Sequence, residues 1–189
     1  MQNIESNWKT YEKLLRKLPE AGVDKLLSTL ENRIVICPAS PKLDMYSAYP
    51  GGLVKHCLDV TATMRRLNEA LGYGIDTLSV IKVGLLHDLG KVGDLNSDYF
   101  IEQDSDWHRE KLGQVYKYNE NLNKMSVSHR SLFLLQSFSI GLSSDEWLAI
   151  QLSQGSHFEE NRFYVGNEPT LALLIQQAKS TVIHKERNN

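Results

Sequence analysis

Between Leu53 and Leu71 the residues Leu53, His56, Cys57, Val60, Met64, Leu67 and Leu71 recur at i, i+3, i+4, i+7, i+11, i+14 and i+18. That spacing puts all seven on one face of an α-helix, whereas a strand would need strict alternation. An apolar stripe nineteen residues long must be buried against other elements, and it carries a histidine inward with it. The same period governs most of the chain. Trp8, Tyr11, Leu14, Leu15 and Leu18 form a helical stripe ended by Pro19, and Asp24 is placed as an N-cap for the following "KLLSTLEN". After glycines 72 and 74, Asp76 is placed to cap a helix from Thr77 to about Leu89, with Gly90 as its stop. Further helices are predicted at about Asp106–Lys117 and Arg130–Phe138. "SSDE" at 143–146 reads as a capping box for "EWLAIQLSQ", and Pro169 sits at the first turn of a last helix, Thr170 to about Lys185. The exception is "RIVICPASPKLDMYSAYPGG", whose three prolines and paired glycines predict a long irregular segment, with a short extended piece at Ile34–Ile36. No strand-rich half, repeat or linker interrupts the pattern, so the 189 residues are expected to form one all-α domain.

Composition narrows the function classes. The formal net charge of −2 argues against a general nucleic-acid coat or a membrane-surface protein, both of which need a strong basic excess. No apolar run approaches the roughly 20 residues needed to span a bilayer. The N-terminus mixes charges of both signs without an apolar signal core, so a cytoplasmic location is expected. Cys37 and Cys57 lack metal-type spacing and are expected to be reduced, Cys57 as a small core residue on the stripe of its helix.

The chemistry concentrates in "GLLHDLGK", Gly84–Lys91, where an apolar run ends in His87 and Asp88. Desolvating an unpaired imidazole or carboxylate is costly, and a divalent transition metal offsets that cost for both. Neighbouring residues on a helix point about 100° apart, so an ion held by both must sit near a helix end where the backbone adjusts. Taken singly, His56 reads as a hydrogen-bonded core histidine and His-Asp as a chance dipeptide. Their combination with Gly51-Gly52 before His56 and Leu-Gly-Lys after Asp88 favours a site.

"YPGGLVKHCLDV" (Tyr49–Val60) followed by "VGLLHDLGKVGD" (Val83–Asp94) resembles the HD-domain superfamily of metal-dependent phosphohydrolases. The similarity is closest to short bacterial and phage HD proteins with a "PAS…YPGGL" lead-in, also seen in the HD domain of certain exoribonucleases. It implies a single all-α HD-type helical bundle, with a core over about 38–185 and residues 1–32 as N-terminal helices packed on it. It further implies a divalent metal held by His56, His87 and Asp88, with Mn, Mg, Fe, Co, Ni and Zn all open. Asp88 and Lys91 would be catalytic, Lys91 neutralising phosphate charge. Relatives usually add an aspartate ligand in the last helix, where this chain has Lys179, and often a histidine where Ser153 and Gln154 stand. The resemblance therefore leaves three outcomes: recruitment of His129, His157 or Glu159 as a further ligand, three ligands completed by water, or a site that binds without catalysing.

The polar stretch Asp104–Ser131 is longer than an ordinary connection and offers groups suited to a nucleotide. Arg109, Lys111 and Arg130 are candidate phosphate contacts, and Trp107, Tyr116 and Tyr118 candidate stacking surfaces. His108 and His129 are candidate proton carriers, with His129 taken as the catalytic one because it opens a helix beside Arg130. For each basic residue taken alone the solvated-surface reading is the favoured one, Trp107 is otherwise read as a core anchor, His129 reads either way, and His184 is expected to be solvent-exposed. Met45 and Tyr46, in the lead-in loop, are placed beside the pocket or away from it with equal ease. The expected activity is hydrolysis of a nucleotide or other small phosphorylated molecule by metal-activated water. The alternatives are a phosphodiesterase acting on cyclic nucleotides or oligonucleotides, and a non-catalytic module binding a nucleotide or protein partner. No membrane or extended nucleic-acid partner is expected, and self-association is left open.

Overall fold

The computed structural model describes residues 4–155 and 157–188. Eight α-helices make up most of it: α1 (Ile4–Leu15), α2 (Gly22–Ile36), α3 (Gly52–Leu71), α4 (Thr77–Leu86), α5 (Asp106–Leu112), α6 (Val127–Ser137), α7 (Ser144–Leu152) and α8 (Thr170–Arg187). Two three-residue strands, β1 (Phe100–Glu102) and β2 (Tyr116–Tyr118), pair antiparallel with Phe100 opposite Tyr118. The all-α expectation holds for the bundle. The small hairpin is an addition that three-residue strands leave too short to read by alternation.

α3 is the central helix, packed against α4 and α8 and covered by α1 and α2. Its predicted stripe is buried from Leu53 to Met64, while Leu71 at the far end is exposed. α1 is pinned to α4 by the buried Tyr11 hydroxyl, which donates to the Leu85 carbonyl at 3.0 Å. α7 lies between α4 and α8, and α6 packs on the 3-10 turn Leu89–Val92 that follows α4.

Local chemistry explains most helix ends. The Asp76 side chain accepts from Ser79 N at 3.0 Å, and Ser143 with Glu146 forms the expected capping box. Three expectations change. The helix expected over about Asp106–Lys117 ends at Leu112, where Gly113 takes a positive φ, and Tyr116 and Lys117 belong to β2. α2 begins at Gly22, so Asp24 lies in its first turn and pairs with Arg16 instead of capping. α2 also runs through Ile36, because Ile34 belongs to its buried face; no extended piece forms there.

Candidate metal centre

α4 stops at Leu86, three residues before the apolar pattern suggests. His87 closes the helix, Asp88 takes φ −105° and ψ 13°, and the chain passes into the 3-10 turn Leu89–Val92. Leaving the α-helix here lets two adjacent side chains face one point. The turn is held from outside: Gly90 N donates to Ser131 Oγ at 2.8 Å, and that hydroxyl contacts the His87 carbonyl at 2.9 Å. Gly90 is required by close approach, since a Cβ there would lie 2.3 Å from the Val127 carbonyl oxygen of α6. It is a contact residue within the turn, not the helix stop that sequence spacing suggests.

His56, from α3, completes the cluster. His56, His87 and Asp88 are fully buried, and one donor atom from each lies within 4.8 Å of the others. Asp88 Oδ2 is 3.6 Å from His87 Nε2 and 3.9 Å from His56 Nε2. His87 Nδ1 lies 3.0 Å from the Gly84 carbonyl; donating there places its proton on Nδ1 and turns the Nε2 lone pair inward. Neither ring nitrogen of His56 nor His87 Nε2 has a hydrogen-bond partner. Buried polar atoms left unpaired cost about 1–3 kcal/mol each, so their convergence calls for a ligand. Two imidazole nitrogens and a carboxylate oxygen are the donor set of a first-row divalent ion, and they fit one.

The remaining contacts to Asp88 are cationic or amide donors. Gln154 Nε2 donates to Oδ1 at 2.7 Å, and Lys179 Nζ donates to the same oxygen at 3.0 Å. Lys91 Nζ forms an ion pair with Oδ2 at 2.6 Å. Lys91 also donates to the Tyr46 hydroxyl at 2.8 Å, and the Tyr46 ring packs on His56 with centroids 4.7 Å apart. Burial raises the cost of ionising Asp88, but Lys179 and Lys91 outweigh it and hold the carboxyl well below its usual range. Burial, reinforced by Lys91, pushes His56 well down, and burial brings His87 to about 4 despite Asp88 beside it. With both imidazoles neutral, two ammoniums face one carboxylate. A divalent ion held by these three side chains would compete with Lys91 for Oδ2.

Lys91, Tyr46 and Gln154 also form walls of a cleft of about 350 Å³ whose other sides include Tyr99, Phe100, Tyr118 and Phe158. Met45 lines it too, so the lead-in loop flanks the pocket. Of the stacking candidates, Tyr118 reaches this cleft. Tyr116 faces a separate cavity beneath the hairpin, and Trp107 is 58% exposed on α5.

The structure does not bring the other candidates to the centre. His129 is exposed on α6 and borders a different groove with Phe133 and Trp147, because α6 turns Arg130, Ser131 and Leu134 inward. His157 is exposed and packs on Phe158, and Glu159 is exposed. Arg109 bonds the Gln103 carbonyl and Asp106 on α5, a helix with no buried residue, and Lys111 projects to solvent there. Arg130 is buried, donates to the Asn123 carbonyl at 2.8 Å and lies 5.4 Å from the Tyr99 ring centroid, so it braces the cleft wall without facing the cleft. His108 bonds Ser105 at its own helix start, and His184 is exposed on α8. Cys57 is a buried free thiol pushed up by burial, as a core residue should be.

Sequence reasoning missed Tyr99 as a cleft wall and Arg33 as a clamp. The Arg33 guanidinium reaches the carbonyls of Val92, Asp94 and Ser97 and pairs with Asp98 at 2.5 Å, fixing the loop after Lys91. A partly buried arginine on an amphipathic helix is the available signal, but its partners lie about sixty residues away.

An α-helical bundle with a buried His-His-Asp cluster between two central helices defines a class of metal-binding domain. Residues 53–178 match the HD domain family model, well over half of the chain, and the chain belongs to that family. HD domains are in general metal-dependent phosphohydrolases. No functionally described protein and no solved structure shows significant similarity to the chain. The matched span ends one residue before Lys179.

Proposed function

We propose that this protein is a metal-dependent phosphohydrolase acting on a nucleotide or another small phosphorylated molecule. The observation that carries the reading is the convergence of His56 Nε2 and His87 Nε2, neither with a hydrogen-bond partner, on the buried Asp88 carboxylate beside a cleft walled by Lys91, Tyr46 and Gln154. His56, His87 and Asp88 hold the ion. When bound, a divalent ion polarises a phosphate oxygen and makes hydroxide available from water near neutral pH.

The protein's own groups do the rest. The Gly84 carbonyl keeps the His87 proton on Nδ1, so Nε2 stays an acceptor toward the centre. Gln154 and Lys179 hold Oδ1 and direct Oδ2 inward. Lys91, charged because Asp88 and Tyr46 outweigh the effect of its burial, offers its ammonium to phosphate at the inner end of the cleft. Tyr99, Phe100 and Tyr118 provide flat apolar surface for a base or similar group.

The test is inorganic phosphate release from nucleoside mono- and triphosphates with manganese, nickel or cobalt, comparing the native protein with His87→Ala. The reading predicts metal-dependent release that falls at least 100-fold in the variant. No release with any ion, or equal release from the variant, overturns it. A second reading, a non-catalytic nucleotide-binding module, is favoured by the two lysines already on Asp88. It predicts nucleotide binding that survives His87→Ala without phosphate release from either protein.

A further inference from the structure

We infer that Lys179 is a positioning residue that makes Asp88 a one-oxygen ligand and commits the centre to a single, weakly held divalent ion; this rests on the metal-centre reading above. Lys179 is buried on α8, and its ammonium meets Asp88 Oδ1 at 3.0 Å. Gln154 occupies the same oxygen at 2.7 Å, so Oδ1 has two donors and Oδ2 is the oxygen that faces His56 and His87. A carboxylate bridges two ions by giving one oxygen to each, and Asp88 has only one to give. Among the described residues no other group of three or more His, Cys, Asp or Glu side chains comes together, so no second acidic cluster stands ready for another ion.

Charge sets the affinity. A buried ammonium on the far side of the ligating carboxylate drains the field that Asp88 presents to a cation and repels the cation directly. Lys91 can leave Oδ2 toward the cleft it lines, whereas Lys179 lies outside that cleft and stays on Oδ1 as the ion enters. The cost is offset by orientation, since Lys179 and Gln154 together fix the carboxylate plane.

Two consequences separate this role from simple packing. Removing the charge while keeping a donor should tighten metal binding, whereas loss of a merely structural residue loosens it. Restoring the charge with arginine should return weak binding.

The experiment is calorimetric titration of metal-free protein with Mn²⁺ for the native chain, Lys179→Gln, Lys179→Arg, Lys179→Met and His87→Ala, each checked by its melting profile. The expected result is one ion per native chain, abolished in His87→Ala, with affinity at least tenfold higher in Lys179→Gln and near native in Lys179→Arg. Binding confined to Lys179→Gln or Lys179→Met also supports the inference. Native binding of two ions, or native binding that Lys179→Gln leaves equal or weaker, overturns the inference while the metal centre stands. No Mn²⁺ binding by any folded variant overturns both.

Discussion

Gly84 offers the sharpest test of how the fold builds the site. It lies on α4 where that helix crosses α3, and a Cβ there would be 2.4 Å from Thr61 Oγ1 and 3.0 Å from Thr61 Cα and Cβ. Carbon contacts settle at about 3.5–4.0 Å, so relief requires the helices to part by roughly 1 Å. Thr61 cannot simply rotate away, because its hydroxyl donates to the Cys57 carbonyl at 2.7 Å in the buried interface. Replacing a helical glycine by alanine gains about 1 kcal/mol of propensity, while overpacking costs about 1–3 kcal/mol and the Thr61 bond is disturbed as well. The net expectation for Gly84→Ala is destabilisation of about 1–2 kcal/mol, a fall in Tm of about 2–8 °C for a chain this long. Gly84 also accepts from His87 Nδ1, so parting α3 from α4 separates the two imidazoles and weakens Mn²⁺ binding. Calorimetric melting in EDTA and Mn²⁺ titration read the two effects. Thr61→Ala in the same background removes the nearest clashing atom and should recover part of both losses, a coupling of at least about 0.5 kcal/mol. A Gly84→Ala protein that melts higher than the native one, or a double variant whose losses merely add, refutes the reasoning.

Acid should destabilise the metal-free protein through its histidines. His87 titrates near 4 when folded against about 6.5 unfolded, so between those values the unfolded chain binds the extra proton and stability falls as pH falls, by about 3 kcal/mol for His87. His56 shifts in the same direction; urea midpoints at pH 7.5 and 4.5 should differ accordingly, and a difference under about 1 kcal/mol contradicts this. Lys82, buried between Glu20 at 2.6 Å and Glu146 at 3.1 Å, should cost about 3 kcal/mol when changed to Met, read by urea unfolding, because two carboxylates lose their partner. Tyr118→Ala should raise KM about tenfold for nucleotides but hardly change it for small phosphorylated molecules without a ring, with kcat unmoved in both.

Much of this was legible because helical periodicity is a strong local signal. The stripe from Leu53 to Met64 placed His56 inward, and the capping residues Asp76 and Ser143 marked where α4 and α7 begin. The end of α4 was not legible, since Leu89 and Val92 continue the apolar pattern although they pack under α6 in a 3-10 turn. His129 and Arg130 are adjacent in sequence yet one is exposed and the other buried, and only the docking of α6 on that turn decides which. Gln154 and Lys179 were visible as departures from the family pattern. Their joint hold on Asp88 depends on α7 and α8 meeting across the core, which no spacing within either helix encodes.

The roles given to Lys91, Gln154 and Lys179 all turn on one divalent ion held by His56, His87 and Asp88. Anomalous diffraction from crystals grown with Mn²⁺ tests it most directly. A single peak is expected about 2.0–2.3 Å from His56 Nε2, His87 Nε2 and Asp88 Oδ2, with Lys91 moved off Oδ2 and Lys179 still on Oδ1. A map without a peak there, with Lys91 still against Asp88, contradicts it.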